Sequence, residues 1–347
     1  MVLAAGLAVY GLVRYRYYGG WRRLDLLVVL LLAAGLAGVS VVPQVGEVFV
    51  RLLGLENRGF ALLAASNLLL FGLFLYALGA ARSASRFGGS MVSALAVREY
   101  RERYLGEPPE DGKEEGSPGS LGKLLVIIPA YNEQEGLRAV LGRVPETVAG
   151  YRTRTVVVVD GATDGTEAVA LERGVPVATH VTNRGQGDAL RTGFEIARLE
   201  GADVAVNLDA DGQYLPEEIE RLVAPIAEGE ADFMLGSRFL GYYEEAGSLR
   251  HAGVVFFSRL VSLLAGVRIT DCTNGLRAIR GSELGKLNLR EDRFNATELL
   301  LEAVRCGLRI REVPVTMLRR AEGKSKKPER LAYPLGVLRV IVQTWLR

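Results

Sequence analysis

The chain has 347 residues, of which 49% are apolar, and its 42 basic and 40 acidic side chains leave a formal net charge of +2. This length predicts about two domains. The near-zero charge argues against a general nucleic-acid-binding protein, because phosphate-dominated affinity needs an extended basic surface. The mean hydropathy is positive, so the apolar residues must be concentrated in one region.

That region is the N-terminal part of the chain. Residues 26–46 and residues 59–81 contain no charged side chain, and each run exceeds the roughly 18 residues that make a membrane-spanning helix plausible. A further apolar run at residues 1–13 is short for a span, and whether it crosses stays open. The alternative is a pair of buried soluble helices, but amphipathic core helices seldom contain such unbroken runs.

Arginines flank these runs and predict their orientation, because short Arg-rich loops stay in the cytoplasm. We therefore expect a multi-pass protein of the cell membrane whose C-terminal part lies on the cytoplasmic side. The flanking arginines are Arg14, Arg16, Arg22 and Arg23 before residue 26, and Arg82, Arg86, Arg98, Arg101 and Arg103 after residue 81.

An acidic linker follows a charged helix predicted at residues 90–105. Residues 106–120 contain five acids, one lysine, three prolines and four glycines, a composition that cannot bury enough surface to fold. We therefore expect a membrane domain at residues 1–89 with two or three transmembrane helices, and a juxtamembrane helix and linker at residues 90–120. A folded domain at residues 121–330 and an amphipathic C-terminal helix at residues 331–347 complete the chain. That last helix could lie at the membrane interface or pack on the folded domain.

From residue 121 onward, short apolar strands alternate with helical segments. This alternation predicts an α/β fold with a mostly parallel sheet and helices on both faces. Ligands of such sheets bind beyond the carboxyl ends of the strands, which is where the polar residues of this chain cluster. The strands are predicted at residues 123–128, 155–159, 175–178, 203–208 and 231–235.

The sharpest polar cluster follows the fourth of these strands. Alternate residues of an extended backbone share a face, so Asp209, Asp211 and Gln213 can present oxygen atoms to one point. Two carboxylates and an amide oxygen suit Mg²⁺ or Mn²⁺, and such a cation would also hold a diphosphate. A solvated turn is the alternative interpretation, but the position directly after an apolar strand favours a metal site.

Asp160 also ends a predicted strand, within a glycine-rich turn. A carboxylate there can accept hydrogen bonds from a base or a ribose, or Asp160 and Asp164 can simply build the turn and cap the next helix. The glycine signatures of dinucleotide-binding folds and P-loops are absent from the sequence, so these enzyme classes are disfavoured.

Six motifs, in this order, resemble the signature of family 2 glycosyltransferases, and among these the dolichol-phosphate mannose or glucose synthases. The resemblance extends over residues 129–326 and excludes the N-terminal region. The motifs are Pro129-Ala130-Tyr131-Asn132-Glu133, Val159-Asp160-Gly161-Ala162-Thr163-Asp164-Gly165-Thr166, Asn183-Arg184-Gly185-Gln186-Gly187, Asp209-Ala210-Asp211-Gly212-Gln213, Gly236-Ser237-Arg238 and Arg320-Ala321-Glu322-Gly323-Lys324-Ser325-Lys326.

The resemblance implies a GT-A nucleotide-sugar-binding fold and an inverting transfer from a GDP-mannose or UDP-glucose type of donor to a polyprenyl or dolichyl phosphate. It implies Mg²⁺ or Mn²⁺ as cofactor, held with the diphosphate by Asp209, Asp211 and Gln213. Asp271 lies in a segment that resembles a sugar-facing motif, so it joins Asp209 and Asp211 as a candidate catalytic residue, with a helix-ending turn as the alternative. The nucleotide-sugar-binding residues would be Pro129, Tyr131, Glu133, Val158, Asp160, Asp209, Ala210 and Asp211.

One residue departs from the family pattern, because Val159 replaces the first of two adjacent aspartates. The second, Asp160, corresponds to the usual nucleoside contact, so we expect nucleotide binding to persist. The replacement suggests a non-catalytic nucleotide-sugar-binding protein as one alternative. A second is a family 2 enzyme with a non-polyprenyl acceptor.

The chemistry itself calls for cations. A lipid monophosphate has its second pKa near 6 and is largely a dianion at neutral pH, so it needs little help from a general base. It needs a metal for the leaving diphosphate and basic side chains for the acceptor phosphate. Arg250 could instead pair with surface acids, and residues 318–330 could be a lipid-facing patch. The predicted phosphate-binding residues are Arg238, Arg250, Arg320 and Lys326.

A processive polysaccharide synthase is disfavoured, because such enzymes carry a Q-x-x-R-W motif that Gln343, Thr344 and Trp345 do not reproduce. The expected partners are thus a nucleotide sugar, a polyprenyl or dolichyl phosphate and the lipid bilayer, with no nucleic acid. The sequence leaves the oligomeric state open.

Overall fold

The computed structural model describes residues 58–106, 121–244, 248–292, 294–319 and 332–345, together with isolated positions before residue 35. The spans expected at residues 1–13 and 26–46 lie outside these residues, apart from those isolated positions, as does most of the linker. The chain divides into two compact units, Met1–Ser85 and Arg86–Arg347. Within the described part of the chain, none of the helices is both long and apolar enough to cross a membrane.

Helix α1, Arg58–Tyr100, leads into a single π-helical turn at Arg101–Leu105. The sequence suggested two separate helices in this region, but the helix is continuous through Gly89. A Cβ atom on Gly89 would lie 2.5 Å from Asp188 Oδ2, so this glycine allows a close approach instead of ending the helix.

The second unit contains an eight-stranded sheet with helices packed against it. All five predicted strands are present, although their boundaries differ, by as many as eight residues at the end of the fifth. The strands are β1 Gly122–Ala130, β2 Thr147–Val148, β3 Tyr151–Asp160, β4 Val177–His180, β5 Val204–Asn207, β6 Phe233–Tyr243, β7 Arg277–Arg280 and β8 Ile310–Met317. The helices that follow α1 are α2 Gln134–Leu141, α3 Thr166–Glu172, α4 Gln186–Leu199, α5 Ile219–Ala227, α6 Ser248–Ala265, α7 Asn295–Arg305 and α8 Ala332–Trp345, with 3₁₀ turns at Pro216–Glu218 and Gly281–Lys286.

The strands lie in the order β2-β3-β1-β5-β7-β6-β8, and β4 pairs with β3. The pairs of β1 with β3 and β5, of β3 with β4, and of β6 with β8 are parallel. β7 is antiparallel to both β5 and β6. The sheet is therefore mixed, and the prediction of a mostly parallel sheet is wrong. The sequence did not reveal β7, because its four residues, Arg-Ala-Ile-Arg, contain no apolar run.

Alternate residues of the central strands fill two apolar layers, one on each face of the sheet. Ile127 and Val158 belong to the layer that also contains Tyr100 of α1, whereas Ile128 and Val159 belong to the opposite layer. Helix α8 packs on the first layer through Val337 and Ile341. Of the two placements considered for the C-terminal helix, packing on the folded domain is the one observed.

Helix α4 lies very close to β1 at Gly193, where a Cβ atom would be 2.2 Å from Ile127 Cγ2. We expect Gly193→Ala to lower the free energy of unfolding by about 1–3 kcal/mol, because overpacking outweighs the better helix propensity of alanine. Denaturant unfolding of the detergent-solubilised protein measures this change.

Gly253 in α6 is the matched control, because a Cβ atom there would meet nothing within 4 Å. Gly253→Ala should leave stability unchanged or raise it by up to about 1 kcal/mol. A Gly193→Ala protein as stable as Gly253→Ala would contradict the close packing of α4 on β1.

Candidate active site

The loops that follow β1 and β3 are joined by hydrogen bonds at the carboxyl edge of the sheet. The Thr163 main-chain N donates to Asn132 Oδ1 at 2.8 Å, and the Glu133 N donates to Thr166 Oγ1 at 2.9 Å. Asn132 adopts a left-handed conformation, with φ of 51°. Tyr131 and Glu133 on either side are half-buried. Two of the predicted nucleotide-binding residues are thus held at the expected edge.

Asp160 is buried at the end of β3 and binds the turn that follows β4. Its Oδ1 accepts the Arg184 N at 2.9 Å and lies 2.7 Å from His180 Nδ1, while its Oδ2 accepts the Gly185 N at 2.7 Å. The parallel register pairs Asp160 with His180 at the ends of β3 and β4. Asp160 therefore binds a turn distant in sequence, whereas Asp164 builds the glycine-rich turn before α3 by accepting the Thr166 N at 3.0 Å. The nucleoside contact of Asp160 stays a prediction.

Asp209 and Asp211 follow β5 and are both half-buried. Asp209 Oδ1 accepts a hydrogen bond from Gln186 Nε2 at 2.9 Å, and Asp211 Oδ1 accepts one from the Gln213 main-chain N at 3.1 Å. The Gln213 amide donates through Nε2 to the Leu318 carbonyl at 3.0 Å, which joins this loop to the segment after β8. As a metal ligand, Gln213 would have to use its Oε1 atom.

Two glycines let neighbouring segments approach this loop. A Cβ atom on Gly275 would lie 2.3 Å from Asp209 Oδ2, and one on Gly136 of α2 would lie 2.5 Å from the Ala210 carbonyl. Ala210 itself is buried. The loop is therefore confined on both sides, and the position of the Asp209 carboxylate is restricted by the main chain of Gly275.

The carboxylates of Asp209 and Asp211 suit a cation whose remaining ligands come from the substrate. Within the described residues, no group of three or more His, Cys, Asp or Glu side chains could hold a metal ion. Mg²⁺ is commonly bound by one or two carboxylates together with substrate phosphates and water. Asp209 and Asp211 provide such a pair of carboxylates, and a diphosphate would supply the further oxygen atoms.

Arg238 on β6 and Asp271 form a buried, bidentate ion pair. Arg238 Nε lies 2.6 Å from Asp271 Oδ2, and Nη2 lies 2.7 Å from Oδ1. The same Nη2 donates to Thr273 Oγ1 at 2.8 Å, and the guanidinium carbon is 5.1 Å from the centre of the Tyr243 ring. Asp271 is fully buried, and Arg238 is 6% exposed.

The ion pair keeps both groups charged. Burial opposes ionisation of Asp271, but the hydrogen bonds and the positive charge of Arg238 outweigh it and lower the pKa of this carboxyl. Burial likewise opposes the charge of Arg238, but Asp271 raises the pKa of the guanidinium above its ordinary value. An Asp271 carboxylate bonded in this way is unsuited to act as a general base.

Comparison with known proteins identifies the family. The model of the family "Glycosyl transferase family 2" matches residues 125–284. The polyprenol monophosphomannose synthase of Mycolicibacterium smegmatis is 34% identical over 251 residues, which cover 67% of this chain and 89% of that protein. The chain belongs to glycosyl transferase family 2. The undecaprenyl-phosphate mannosyltransferase of Micrococcus luteus is 32% identical over 219 residues, or 59% of this chain and 87% of that protein.

A solved structure supports the fold. Glucosyl-3-phosphoglycerate synthase from Mycobacterium tuberculosis, in complex with Mg²⁺ and uridine diphosphate, aligns with a TM-score of 0.52 and 20% identity. The alignment covers 64% of this chain and 79% of that one. This likeness confirms the expected GT-A fold, and the family match and the relatives confirm the glycosyltransferase class.

The remaining predicted residues of this glycosyltransferase differ in how far the structure places them. Pro129 pairs with Val158 in the sheet and both are buried, with Val158 0% exposed, so the contact of Val158 with a nucleotide stays a prediction. Arg250 lies in α6, but its side chain is not among those described. Arg320 and Lys326 lie outside the described residues, so their phosphate-binding roles stay predictions.

Three residues that the sequence reasoning did not assign belong to the site. Gln186 contacts Asp209, and the Tyr214 hydroxyl accepts the Gly275 N at 3.2 Å. Burial raises the pKa of Tyr214, which is therefore neutral. The third residue is His180, whose Nδ1 lies 2.7 Å from Asp160 Oδ1. Its place as the last residue of a short apolar strand was the signal that could have revealed it.

The ion pair makes a pH-dependent contribution to stability. We expect Asp271→Asn to lower the free energy of unfolding at pH 7 by about 3–5 kcal/mol, because it leaves a buried guanidinium without its counter-charge. The folded pKa of Asp271 is depressed, so its stabilisation is complete above the ordinary Asp pKa of about 4 and is lost as the pH falls through the folded value. The stability difference between wild type and variant should therefore shrink below about pH 4, as measured by denaturant unfolding across pH.

An exposed pair provides the control. Glu230 binds Arg311 with both side chains about half exposed, so Glu230→Gln should cost no more than about 1 kcal/mol at pH 7. Equal losses for the two variants would contradict the role assigned to the buried pair.

Proposed function

We propose that this protein is a membrane-attached, inverting hexosyltransferase that acts on the cytoplasmic face of the cell membrane. It would transfer the sugar of a GDP-mannose or UDP-glucose type of donor to a polyprenyl or dolichyl phosphate. The observation that carries the proposal is the confined pair Asp209 and Asp211 at the carboxyl end of β5. One relative is named a polyprenol monophosphomannose synthase and another an undecaprenyl-phosphate mannosyltransferase.

The donor is proposed to bind along the carboxyl edge of β1, β3 and β5. Tyr131 and Glu133 would contact the nucleoside, and Asp209 and Asp211 would hold the metal with the diphosphate. When bound there, Mg²⁺ or Mn²⁺ would neutralise the charge that develops on the departing nucleoside diphosphate. Gln186 would fix the orientation of Asp209 through the 2.9 Å hydrogen bond.

The proposed reaction needs no general base, which agrees with an Asp271 carboxylate that is bound to Arg238. An oxygen atom of the acceptor phosphate forms a bond to the anomeric carbon as the bond to the nucleoside diphosphate breaks on the opposite face, which inverts the configuration. The attacking phosphate is already ionised at neutral pH, so no side chain has to remove a proton. Asp271 would then hold Arg238 in place, which is the arrangement observed.

Because Asp271 balances the charge of Arg238, the net attraction for an acceptor phosphate would come mainly from other cations. We assign that part to Arg250, Arg320 and Lys326. A short basic segment that also faces anionic lipids is compatible with the same role.

Two features support attachment to the membrane. The sequence contains a charge-free run of 21 residues at positions 26–46, which is long enough for a spanning helix. On the second unit, α6 exposes Phe256 and Leu263, which are 62% and 79% accessible and lie seven residues apart on one face. Exposed apolar groups arranged in this way suit contact with lipid.

Transfer to a lipid phosphate is tested directly. Membranes that contain the protein are incubated with labelled nucleotide sugars, polyprenyl phosphate and Mg²⁺ or Mn²⁺, and lipid-linked sugar is extracted and counted. Asp211→Ala should lower the rate at least about 100-fold, since even residues that only support a metal ligand are worth 10–100-fold. Asp203 provides the control, because it lies before the other end of β5 and binds the Lys123 main chain, so Asp203→Ala should keep most of the activity.

The outcomes separate the alternatives. Full activity of Asp211→Ala, or no lipid-linked sugar with any common donor, would contradict the proposal. Transfer to a water-soluble acceptor would identify a different family 2 enzyme, and tight nucleotide binding without turnover would identify a non-catalytic binding protein.

Gly275→Ala tests the confinement of Asp209 without removing a carboxylate. The added Cβ would lie 2.3 Å from Asp209 Oδ2, so the carboxylate must move. We expect the affinity for a nucleoside diphosphate with Mn²⁺ to fall by about tenfold, in the range of changes at groups that orient metal ligands. Thermal-shift titration with UDP and GDP measures the affinity and also indicates the preferred base. Unchanged Mn²⁺-dependent binding would refute the placement of the cation at Asp209.

A further inference from the structure

A continuous line of buried polar contacts runs from the candidate donor site to α1. His180 Nδ1 lies 2.7 Å from Asp160 Oδ1, and His180 Nε2 lies 2.8 Å from Thr192 Oγ1. Thr192 Oγ1 in turn lies 2.7 Å from Ser93 Oγ of α1. Asp160, His180 and Thr192 are each at most 3% exposed. None of the three is therefore placed to react with a substrate.

One end of this line sets the geometry of the turn before α4. Asp160 accepts hydrogen bonds from the main chain of Arg184 and Gly185, and Gly185 has the left-handed φ of 95°. The next residue, Gln186, is the first of α4 and donates to Asp209. Two hydrogen bonds thus link Asp160 to Asp209, the proposed metal ligand: Asp160 binds Gly185, and the adjacent Gln186 binds Asp209.

His180 determines how Asp160 is held. A carboxylate can only accept hydrogen bonds, so Nδ1 donates to it in either charge state of the imidazole. Without this donor, a buried carboxylate would keep only its main-chain partners, and buried charges that lose a partner are strongly destabilised. Asp160 would then shift or recruit water, and the turn that it binds would shift with it.

We propose that His180 is a positioning residue for the transfer reaction, which acts through Asp160 and the turn at Arg184 and Gly185 on Gln186 and Asp209. Through Thr192 and Ser93 it also couples this geometry to helix α1. The inference rests on the proposed donor site but requires no particular acceptor.

The experiment measures binding of UDP or GDP with Mn²⁺ to the full-length protein in detergent by calorimetry, together with KM and kcat for the donor. His180→Ala should weaken nucleotide binding with Mn²⁺ and raise KM by about tenfold, the usual scale for a lost charge-assisted hydrogen bond. His180→Asn should recover most of this loss, because its amide nitrogen can donate to Asp160 from the place of Nδ1. A merely structural role would not produce this selective rescue.

Thr192→Val removes the next group in the line and should weaken binding in the same direction, whereas Thr192→Ser should not. Thr344 gives a matched control, since it is 1% exposed and its hydroxyl has no hydrogen-bond partner in the described part of the chain. Thr344→Val should leave binding and kinetics unchanged.

Ser93→Ala tests the coupling to α1. If the contacts act as one network, Ser93→Ala should raise KM in the wild-type background but have little further effect in His180→Ala, because coupled residues are not additive. Equal effects in both backgrounds would overturn the coupling.

The remaining outcomes are distinct. Unchanged binding and KM in a folded His180→Ala protein, or equal losses in His180→Ala and His180→Asn, would overturn the positioning role. A wild-type protein that binds neither nucleotide with Mn²⁺ would instead overturn the proposed donor site. A wild-type protein with the expected His180 effects but no transfer to polyprenyl phosphate would overturn only the proposed acceptor.

Discussion

Strand β1 pairs in parallel with β3 on one side and with β5 on the other, so the three strands end at the same edge of the sheet. Ala130 is opposite Val159, and Ile127 is opposite Asn207, which sets where each following loop begins. Every group of the candidate donor site depends on this register. A shift of one residue would turn the side chains of a strand to the opposite face and exchange Asp160 for an apolar neighbour.

Several charged side chains near that edge are buried, and each is held in place by the partners that compensate its charge. Asp160 binds main-chain N–H groups, and Asp271 binds Arg238, so both carboxylates are compensated. Arg277 is fully buried and donates to the carbonyls of Cys272 and Asn274. Burial lowers the pKa of Arg277 to about 10, so it remains a cation at neutral pH and fixes the segment that contains Gly275. Such groups are costly to bury, and the conformations that satisfy them are few.

Local sequence patterns were sufficient for the features that depend on neighbouring residues. The apolar strands, the acids at their ends and the family motifs all lie within short segments, and the structure places Asp160, Asp209 and Asp211 at the predicted edge. Local patterns could not predict the features that are formed by residues distant in the sequence. The partner of Asp271 is 33 residues away in sequence, β7 contains no apolar run, and the contact of His180 with Thr192 depends on how α4 packs. Val159 illustrates both cases, because the sequence identifies the substitution and only the fold shows its side chain in an apolar layer.

Ser93 and Tyr100 contact Thr192 and Glu200, respectively, and Gly89 lies beside Asp188. In each pair the two residues are 99 or 100 positions apart in the sequence. This part of α1 and α4 therefore run in the same direction and in register. At 3.6 residues per turn, the three positions on α1 lie along one face of the helix. The length of α1 between Gly89 and Tyr100 is therefore fixed by geometry. One inserted or deleted residue would rotate the following contacts by about 100° and separate them from their partners, so homologous chains that keep this helix pair should also keep the number of residues between these contacts.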